Sequence, residues 1–169
     1  MKTLLVLRHA QAVHSNDFAD HDRPLTDRGL RQARRMGRLL RGMPPDIVLC
    51  STAVRAEQTA QQALSTAHLA PPTRRLGSLY DSDVPRHLEA LRVLDSSSER
   101  VLMVGHNPTF DGFVSQLVRR PITMRIGALA VLVMAVENWE SIDSSSAGSL
   151  VGLFDPAMLK KKVPAPLSA

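Results

Sequence analysis

The sequence has few of the residues on which several protein classes depend. Its one cysteine, Cys50, excludes an intrachain disulfide, and such low usage is typical of proteins in a reducing compartment. No apolar run approaches the roughly 20 residues of a membrane-spanning helix. The apolar segment 3–7 is too short for a signal peptide. We therefore expect a cytoplasmic protein that does not contact a membrane.

Aromatic residues make up only 4% of the chain, so Leu, Val, Ala and Met must build its core. There is no cysteine cluster with the spacing of zinc ligands, and no glycine-rich fingerprint that would cradle a phosphate. The content of hydrophobic residues, 44%, and of charged residues, 22%, is that of an ordinary globular protein. The length predicts a single domain over 1–169, in which 155–169 is an irregular tail.

The chain is basic, with a net charge of +5, which raises the question of nucleic-acid binding. Much of this charge lies on one predicted helix, on the face opposite its apolar residues. The arginines of that face are Arg28, Arg31, Arg34, Arg35, Arg38 and Arg41. No aromatic residues are interleaved with them, as would be typical of a single-strand binding surface. A solvated face or a docking surface for an acidic protein is favoured, and no nucleic-acid partner is expected.

Hydrophobic periodicity predicts strands that alternate with helices. Strands are expected at 2–7, 46–50, 73–76, 101–104, 128–136 and 149–154, with the last two as a hairpin. Helices are expected at 27–43, 52–68, 85–94 and 108–118, with Thr26 and Asn107 as N-caps of the first and last. This order predicts an α/β three-layer sandwich, with a mostly parallel central sheet and helices on both faces.

Three of the predicted strands lead into residues that can bind or attack phosphate. The first ends at Arg8 and His9, the second leads to Arg55, and the fourth leads to His106. If these strands are neighbours, the groups converge, because ligand sites of open α/β sheets lie at the carboxyl ends of strands. A neutral imidazole has a free lone pair that can attack phosphorus, and an arginine fork can hold two phosphoryl oxygens. The pattern predicts a phosphate site with His9 as its nucleophile.

Four segments, taken as an ordered set, resemble motifs of the histidine phosphatase superfamily, also called the phosphoglycerate mutase-like fold. They are Leu7-Arg8-His9-Ala10, Arg23-Pro24-Leu25-Thr26-Asp27-Arg28-Gly29, Ser51-Thr52-Ala53-Val54-Arg55-Ala56-Glu57-Gln58-Thr59-Ala60 and Val104-Gly105-His106-Asn107-Pro108. Ala10 replaces the glycine that usually follows the first histidine. The short chain and its Gly-His-Asn-Pro segment are most similar to the SixA-type phosphohistidine phosphatases.

The resemblance implies that His9 becomes transiently phosphorylated while Arg8, Arg55 and His106 hold the phosphoryl group, with Asn107 as a further substrate-binding residue. It implies a metal-independent phosphatase without a cofactor. The implied partner is a phosphorylated protein, for which a histidine phosphotransfer protein is a candidate.

Relatives that hydrolyse phosphate esters also use a glutamate as general acid, between the second arginine and the second histidine. Here Glu57 and Glu89 lie within predicted helices, which leaves Asp81 as the candidate acid, with helix capping or loop solvation as its alternative role. An imidazole leaving group, with a pKa of about 6.5, needs less protonation than an alkoxide. We therefore predict hydrolysis of phosphohistidine on a partner protein, with small phosphate esters as the alternative.

Three further hypotheses compete with this one. A cysteine phosphatase would need five residues between Cys50 and Arg55, and the chain has four. A metal site could form in the polar segment from its residues His14, Asp17, Asp20, His21 and Asp22, although a solvated loop explains them as well. A phosphate-binding module without catalysis is disfavoured by the intact pair of His9 and His106.

Overall fold

The structure is a computed structural model that describes residues 1–159, and the remainder of the predicted tail lies outside the described residues. Its main elements, in chain order, are β1 (Lys2–Arg8), α1 (Asp27–Leu40), β2 (Ile47–Ser51), α2 (Val54–Ala67), β3 (Thr73–Leu76), α3 (Val84–Arg92), β4 (Arg100–Gly105), α4 (Thr109–Val118), β5 (Leu129–Met134) and β6 (Gly148–Phe154). Every predicted strand and helix is present, with ends displaced by at most a few residues. No helix in this described part is long and apolar enough to cross a membrane.

The strands form one sheet in the order β3-β2-β4-β1-β5-β6. The pairs β3–β2, β2–β4 and β4–β1 are parallel, while β5 is antiparallel to both β1 and β6. The prediction of a mostly parallel sheet is confirmed, and so is the carboxyl-terminal hairpin. Because β2, β4 and β1 are adjacent and point the same way, their carboxyl ends lie along one edge of the sheet.

The core lies on both faces of this sheet, because successive side chains of a strand point to opposite sides. On β1, Leu4 belongs to the apolar cluster that contains the buried residues of α3 and α4. The next residue, Leu5, belongs to a second cluster, built with α1 and α2. The prediction of helices on both faces is therefore confirmed, and the molecule has three layers.

α1 shows why a sequence so rich in arginine forms a helix here. The side chain of Thr26 accepts a hydrogen bond from the Gly29 N–H at 3.0 Å, so Thr26 is the N-cap as predicted. Met36 and Leu40 are fully buried against the sheet, and Ala33 is buried against Ala10 and Leu25. The arginines follow the opposite face, where four of them are exposed within the helix: Arg28, Arg31, Arg34 and Arg38.

The prediction that Asn107 caps the last helix is wrong. α4 begins at Thr109, its N-cap position is Pro108, and no side chain caps it. The Asn107 amide instead donates to the Met124 carbonyl at 3.2 Å. This bond connects the end of β4 to the segment that enters β5.

The single tryptophan of the chain lies on the α3–α4 side of the sheet. Trp139 has no exposed surface and belongs to the apolar cluster on that side. Its indole N–H donates to the Ser98 carbonyl at 2.7 Å, so its polar atom is satisfied although it is buried. Trp139 therefore anchors the connection between β5 and β6 to the loop before β4.

Candidate active site

An open cleft of about 440 Å³ lies at the carboxyl ends of β1, β2 and β4. Three of the four residues proposed from the strand ends line it, namely His9, Arg55 and His106. The complete lining is His9, Asp20, Arg23, Arg55, Tyr80, Asp81, His106 and Asn107. The structure thus brings together two histidines and one arginine that follow separate strands in the sequence.

His9 is held with one ring nitrogen free. Its Nδ1 lies 2.8 Å from the Ala10 carbonyl oxygen, which can only accept, so Nδ1 carries the hydrogen and Nε2 keeps a lone pair. The backbone is fixed on both sides, because the His9 N–H donates to Gly105 and the His9 carbonyl accepts from Gly127. Burial, assisted by the charge of nearby arginines, lowers the pKa of His9 to about 4. The imidazole is therefore neutral at pH 7.

Thr59 connects the loop after His9 to the helix that carries Arg55. Its Oγ1 accepts from the Ala10 N–H at 3.0 Å and donates to the Arg55 carbonyl, one turn earlier on α2, at 2.6 Å. Thr59 is fully buried. Arg55 and Thr59 are four residues apart, so they lie on one turn of α2. Thr59, which bonds to the residue after His9, is thus held next to the arginine.

The segment 25–29, Leu-Thr-Asp-Arg-Gly, supports the residues after His9 from the other side. The Gln11 carbonyl accepts from the Thr26 N–H at 2.9 Å. A Cβ atom on Gly29 would lie 2.1 Å from that same carbonyl oxygen, so only glycine permits this close approach of α1. The first turn of α1 and the loop after His9 are therefore in direct backbone contact.

Arg55 is buried, with its guanidinium bound to Asp20. It donates to the Asp20 carbonyl at 2.5 Å and to the carboxylate Oδ2 at 3.0 Å. The Tyr80 hydroxyl donates to the same oxygen at 2.7 Å, and Arg23 donates to Oδ1 at 2.6 Å. The bonds from Tyr80, Arg23 and Arg55 hold the pKa of Asp20 well below its usual range. Asp20 is thus ionised, and it accepts hydrogen bonds from arginine and tyrosine groups that could otherwise bind a phosphoryl group.

His106 lies across the cleft from His9, with the two ring centroids 5.0 Å apart. Its Nε2 is 2.7 Å from Ser51 Oγ, which already accepts from the Ala53 N–H at 3.3 Å. The Ser51 hydroxyl hydrogen can therefore donate to Nε2, and in that tautomer the N–H lies on Nδ1. Nδ1 has no partner among the described residues. Burial, with the charges of His9 and Arg55, lowers the pKa of His106 to about 3.

Arg8 is the one proposed phosphate ligand that does not line the cleft. Its Nη1 donates to the Met124 carbonyl at 2.7 Å, the oxygen that also accepts from Asn107. Its Nε is buried and has no hydrogen-bond partner among the described residues. The side chain lines a neighbouring pocket instead, so Arg8 is adjacent to the cleft through His9, Asn107 and Met124.

Asp81 lies at the mouth of the cleft, exposed to solvent. The helix-capping role weighed for it belongs to Asp83, whose side chain accepts from the Arg86 N–H at 3.2 Å. Asp20 and Tyr80 carry no periodic signal, so sequence patterns do not predict their position in the cleft. Arg23 is visible in the sequence only as the first residue of the segment 23–29 that resembles a family motif.

The alternative chemistries find no support in the described part of the chain. No three His, Cys, Asp or Glu side chains within it are grouped as metal ligands, and Asp20 is bound to arginines. Cys50 is buried outside the cleft, and burial raises the pKa of its thiol to about 12, so the thiolate is not formed at pH 7.

Two histidines and an arginine lie at adjacent strand ends of a three-layer α/β fold, as the resemblance to histidine phosphatases implies. The chain belongs to the histidine phosphatase superfamily. The family model for branch 1 of that superfamily matches residues 4–76. An uncharacterised protein of Mycobacterium tuberculosis strain H37Rv is 32% identical over 162 residues, which cover 89% of this chain and 99% of that protein.

Two solved structures are similar over nearly the whole chain. A candidate phosphohistidine phosphatase SixA from Nakamurella multipartitia is 31% identical, with a TM-score of 0.79 over 92% of this chain and 96% of that one. A protein histidine phosphatase SixA complexed with tungstate is 26% identical, with a TM-score of 0.80 over 94% of this chain and 99% of that one. The fold is therefore that of the SixA structures within the superfamily.

Proposed function

We propose that this protein hydrolyses phosphohistidine on a partner protein through a covalent phospho-His9 intermediate. The observation that carries the proposal is the state of His9, which is neutral, fixed through Nδ1 and free at Nε2 inside a cleft that contains arginine. The similarity to SixA structures supports the same reaction class. The proposed reaction consumes water and needs no cofactor.

In the first step, His9 Nε2 attacks phosphorus as the bond from phosphorus to the partner's histidine nitrogen breaks. The second ring nitrogen of the partner's phosphohistidine takes a proton from solvent beforehand, so the imidazole departs as a neutral group with the electron pair of the broken P–N bond. Arg55 and His106, aided by Arg8 from the adjoining pocket, stabilise the charge on the phosphoryl oxygens. In the second step, water attacks phospho-His9 and releases inorganic phosphate, which restores the free imidazole.

The choice of phosphohistidine over phosphate esters rests on the acids near His9. Asp20 is held ionised by Tyr80, Arg23 and Arg55, so it is a poor proton donor at neutral pH. Asp81 is exposed at the rim. An alkoxide leaving group requires a general acid. A phosphohistidine whose other ring nitrogen is protonated does not, because it releases neutral imidazole, the conjugate base of an acid of pKa about 6.5. The cleft is also open, which suits a side chain presented by another protein.

Covalent labelling tests the nucleophile directly. The protein is incubated with a ³²P-phosphohistidine peptide and quenched in alkali, where phosphohistidine is stable, and the label is then mapped. We expect acid-labile phosphate on His9 and none in His9→Ala. The control is His68→Asn, which removes an exposed histidine. The backbone of His68 is left-handed, and asparagine tolerates that conformation. Turnover that persists in His9→Ala would exclude the mechanism.

A substrate comparison tests the substrate class. Rates on the phosphohistidine peptide are measured beside rates on phosphoglycerates and p-nitrophenyl phosphate. We expect a preference for the peptide in kcat/KM. A preference for phosphoglycerates would instead favour the small-ester alternative, and vanadate binding without hydrolysis of any substrate would favour a non-catalytic module.

A further inference from the structure

A second concave surface lies beside the cleft, between α1 and the segments that flank β5 and β6. It consists of two adjoining pockets of about 420 and 270 Å³, which share Arg28 and Gln32. Five arginines line the two pockets: Arg8, Arg28, Arg31, Arg35 and Arg125. We refer to these five residues as the basic pocket.

The basic pocket has little internal neutralisation. Asp155 is the one carboxylate that lines it in the described part of the chain, and it lies 3.5 Å from Arg125. Arg28 and Arg31 form no ion pair and no side-chain hydrogen bond with any described residue. Besides Asp155, the charge of Asp111 acts on Arg8, and the five guanidinium groups still leave an excess of positive charge that attracts anionic groups.

This surface differs from an ordinary solvated helix face in two respects. It is concave, whereas Arg34 and Arg38 on the same helix line neither pocket. It also includes Arg8, which comes from β1, is partly buried, and has a buried Nε without a partner among the described residues. A buried donor that lacks an acceptor is costly unless a ligand or water supplies one.

We infer that the basic pocket docks acidic side chains of the protein whose phosphohistidine enters the cleft. The two sites take neighbouring residues of the chain, because Arg8 lines the basic pocket and His9, the next residue, lines the cleft. Arg8 also shares the Met124 carbonyl with Asn107, which lines the cleft. The inference rests on the proposed function, since it identifies the chemistry of that partner's surface.

An acidic protein fits this surface better than a nucleic acid does. Single-stranded nucleic acid is held by aromatic side chains on which bases stack, and none lines the basic pocket. Carboxylates on a folded partner, in contrast, match the bidentate geometry of arginine one by one. Charges placed around a binding site act mainly on the rate of association and on its salt dependence.

The test uses two peptides that differ only in charge. Each carries one phosphohistidine, flanked by glutamates in the first peptide and by glutamines in the second. The variant is Arg31→Glu, and its matched control is Arg74→Glu, an exposed arginine on the opposite edge strand β3 with the same change of charge. Free phosphoimidazole measures the basal activity, and the unphosphorylated peptides measure binding alone.

For the glutamate peptide we expect kcat/KM to fall about tenfold in Arg31→Glu, since charge reversal replaces attraction by repulsion, and to stay unchanged in Arg74→Glu. Rates on phosphoimidazole should be the same in all three proteins. Equal rates on the two peptides, or equal losses in the two variants, would overturn the inference. The inference would also be overturned if random single-stranded DNA bound more tightly than the glutamate peptide and Arg31→Glu weakened that DNA binding.

Binding separates this inference from the proposed function. If the wild-type protein hydrolyses none of the phosphorylated substrates, the proposed function fails. The docking inference still stands in that case if the unphosphorylated glutamate peptide binds and Arg31→Glu weakens that binding. If hydrolysis proceeds but Arg31→Glu changes neither binding nor kcat/KM, the docking inference fails and the proposed function stands.

Discussion

At the scale of single residues, the chemistry depends on which nitrogen of His9 carries the hydrogen. One carbonyl, that of Ala10, fixes this assignment. His9 and His106 are both uncharged at neutral pH, because burial and neighbouring positive charge lower their pKa values. The site therefore holds a neutral imidazole in a positively charged surrounding, and the proposed attack on a phosphoryl dianion requires this combination.

The lowered pKa values predict how stability depends on pH. An unfolded histidine binds a proton below pH about 6.5. Folded His9 does so only below about 4 and folded His106 only below about 3. Unfolding thus takes up protons in this window, so the free energy of unfolding should fall as pH decreases from 6.5 to 4. Urea titrations should show that the free energy of unfolding depends less on pH in His9→Gln than in the wild-type protein. An NMR titration that gives His9 a pKa near 6.5 would contradict the prediction.

Asp20 predicts a competition with bound oxyanions. Its carboxylate holds Arg55, Arg23 and Tyr80 in the free protein, so vanadate must displace it or bind beside a like charge. We expect Asp20→Asn to bind vanadate roughly fivefold more tightly, measured as inhibition of hydrolysis, because the repulsion is removed. Asp22→Asn, in the same turn, is the matched control. Weaker binding in Asp20→Asn would mean that Asp20 chiefly orients the arginines.

At the scale of elements, α1 and the loop after His9 depend on each other through Gly29. A methyl group at this position would meet the Gln11 carbonyl, so Gly29→Ala should lower the free energy of unfolding by about 1–3 kcal/mol, a typical cost of overpacking. It should also lower kcat/KM for the phosphohistidine peptide, because the loop after His9 is displaced. Gly42→Ala is the control, since its nearest neighbour would be 3.7 Å away. Equal thermal stability of the two variants would contradict this account.

The strands and helices could be predicted from the sequence because each has a strong period and a clear end. Thr26 is one such signal, and the prediction that it caps α1 is confirmed. Asn107 carries the same kind of signal, but the Met124 carbonyl takes its amide, and no local pattern reveals a partner 17 residues away. The side chains of Asp20 and Tyr80 lie in irregular connections, so their positions depend on tertiary contacts alone.

At the scale of the whole molecule, two apolar clusters share one sheet. Each central strand contributes side chains to both clusters, so the loss of one side should destabilise the other. This sharing predicts that the two faces of the sheet unfold together. The arrangement of β2, β4 and β1 also explains why three distant segments of sequence form one cleft.

Calorimetry tests this coupling between the two faces. Leu49→Ala truncates the cluster on the α3–α4 face, and Leu102→Ala truncates the cluster on the α1–α2 face. Each should lower the free energy of unfolding by about 2–5 kcal/mol while one transition remains, with equal calorimetric and van't Hoff enthalpies. Two separate transitions, each shifted by one of the variants, would show that the faces unfold independently.

The buried position of Trp139 has a practical consequence for spectroscopy. As the only tryptophan, enclosed on the α3–α4 side, it should emit at short wavelength in the folded protein and shift to the red on unfolding. It lines neither the cleft nor the basic pocket. Intrinsic fluorescence can therefore follow folding in every variant at the cleft or the basic pocket, without a dye and without interference from bound ligands.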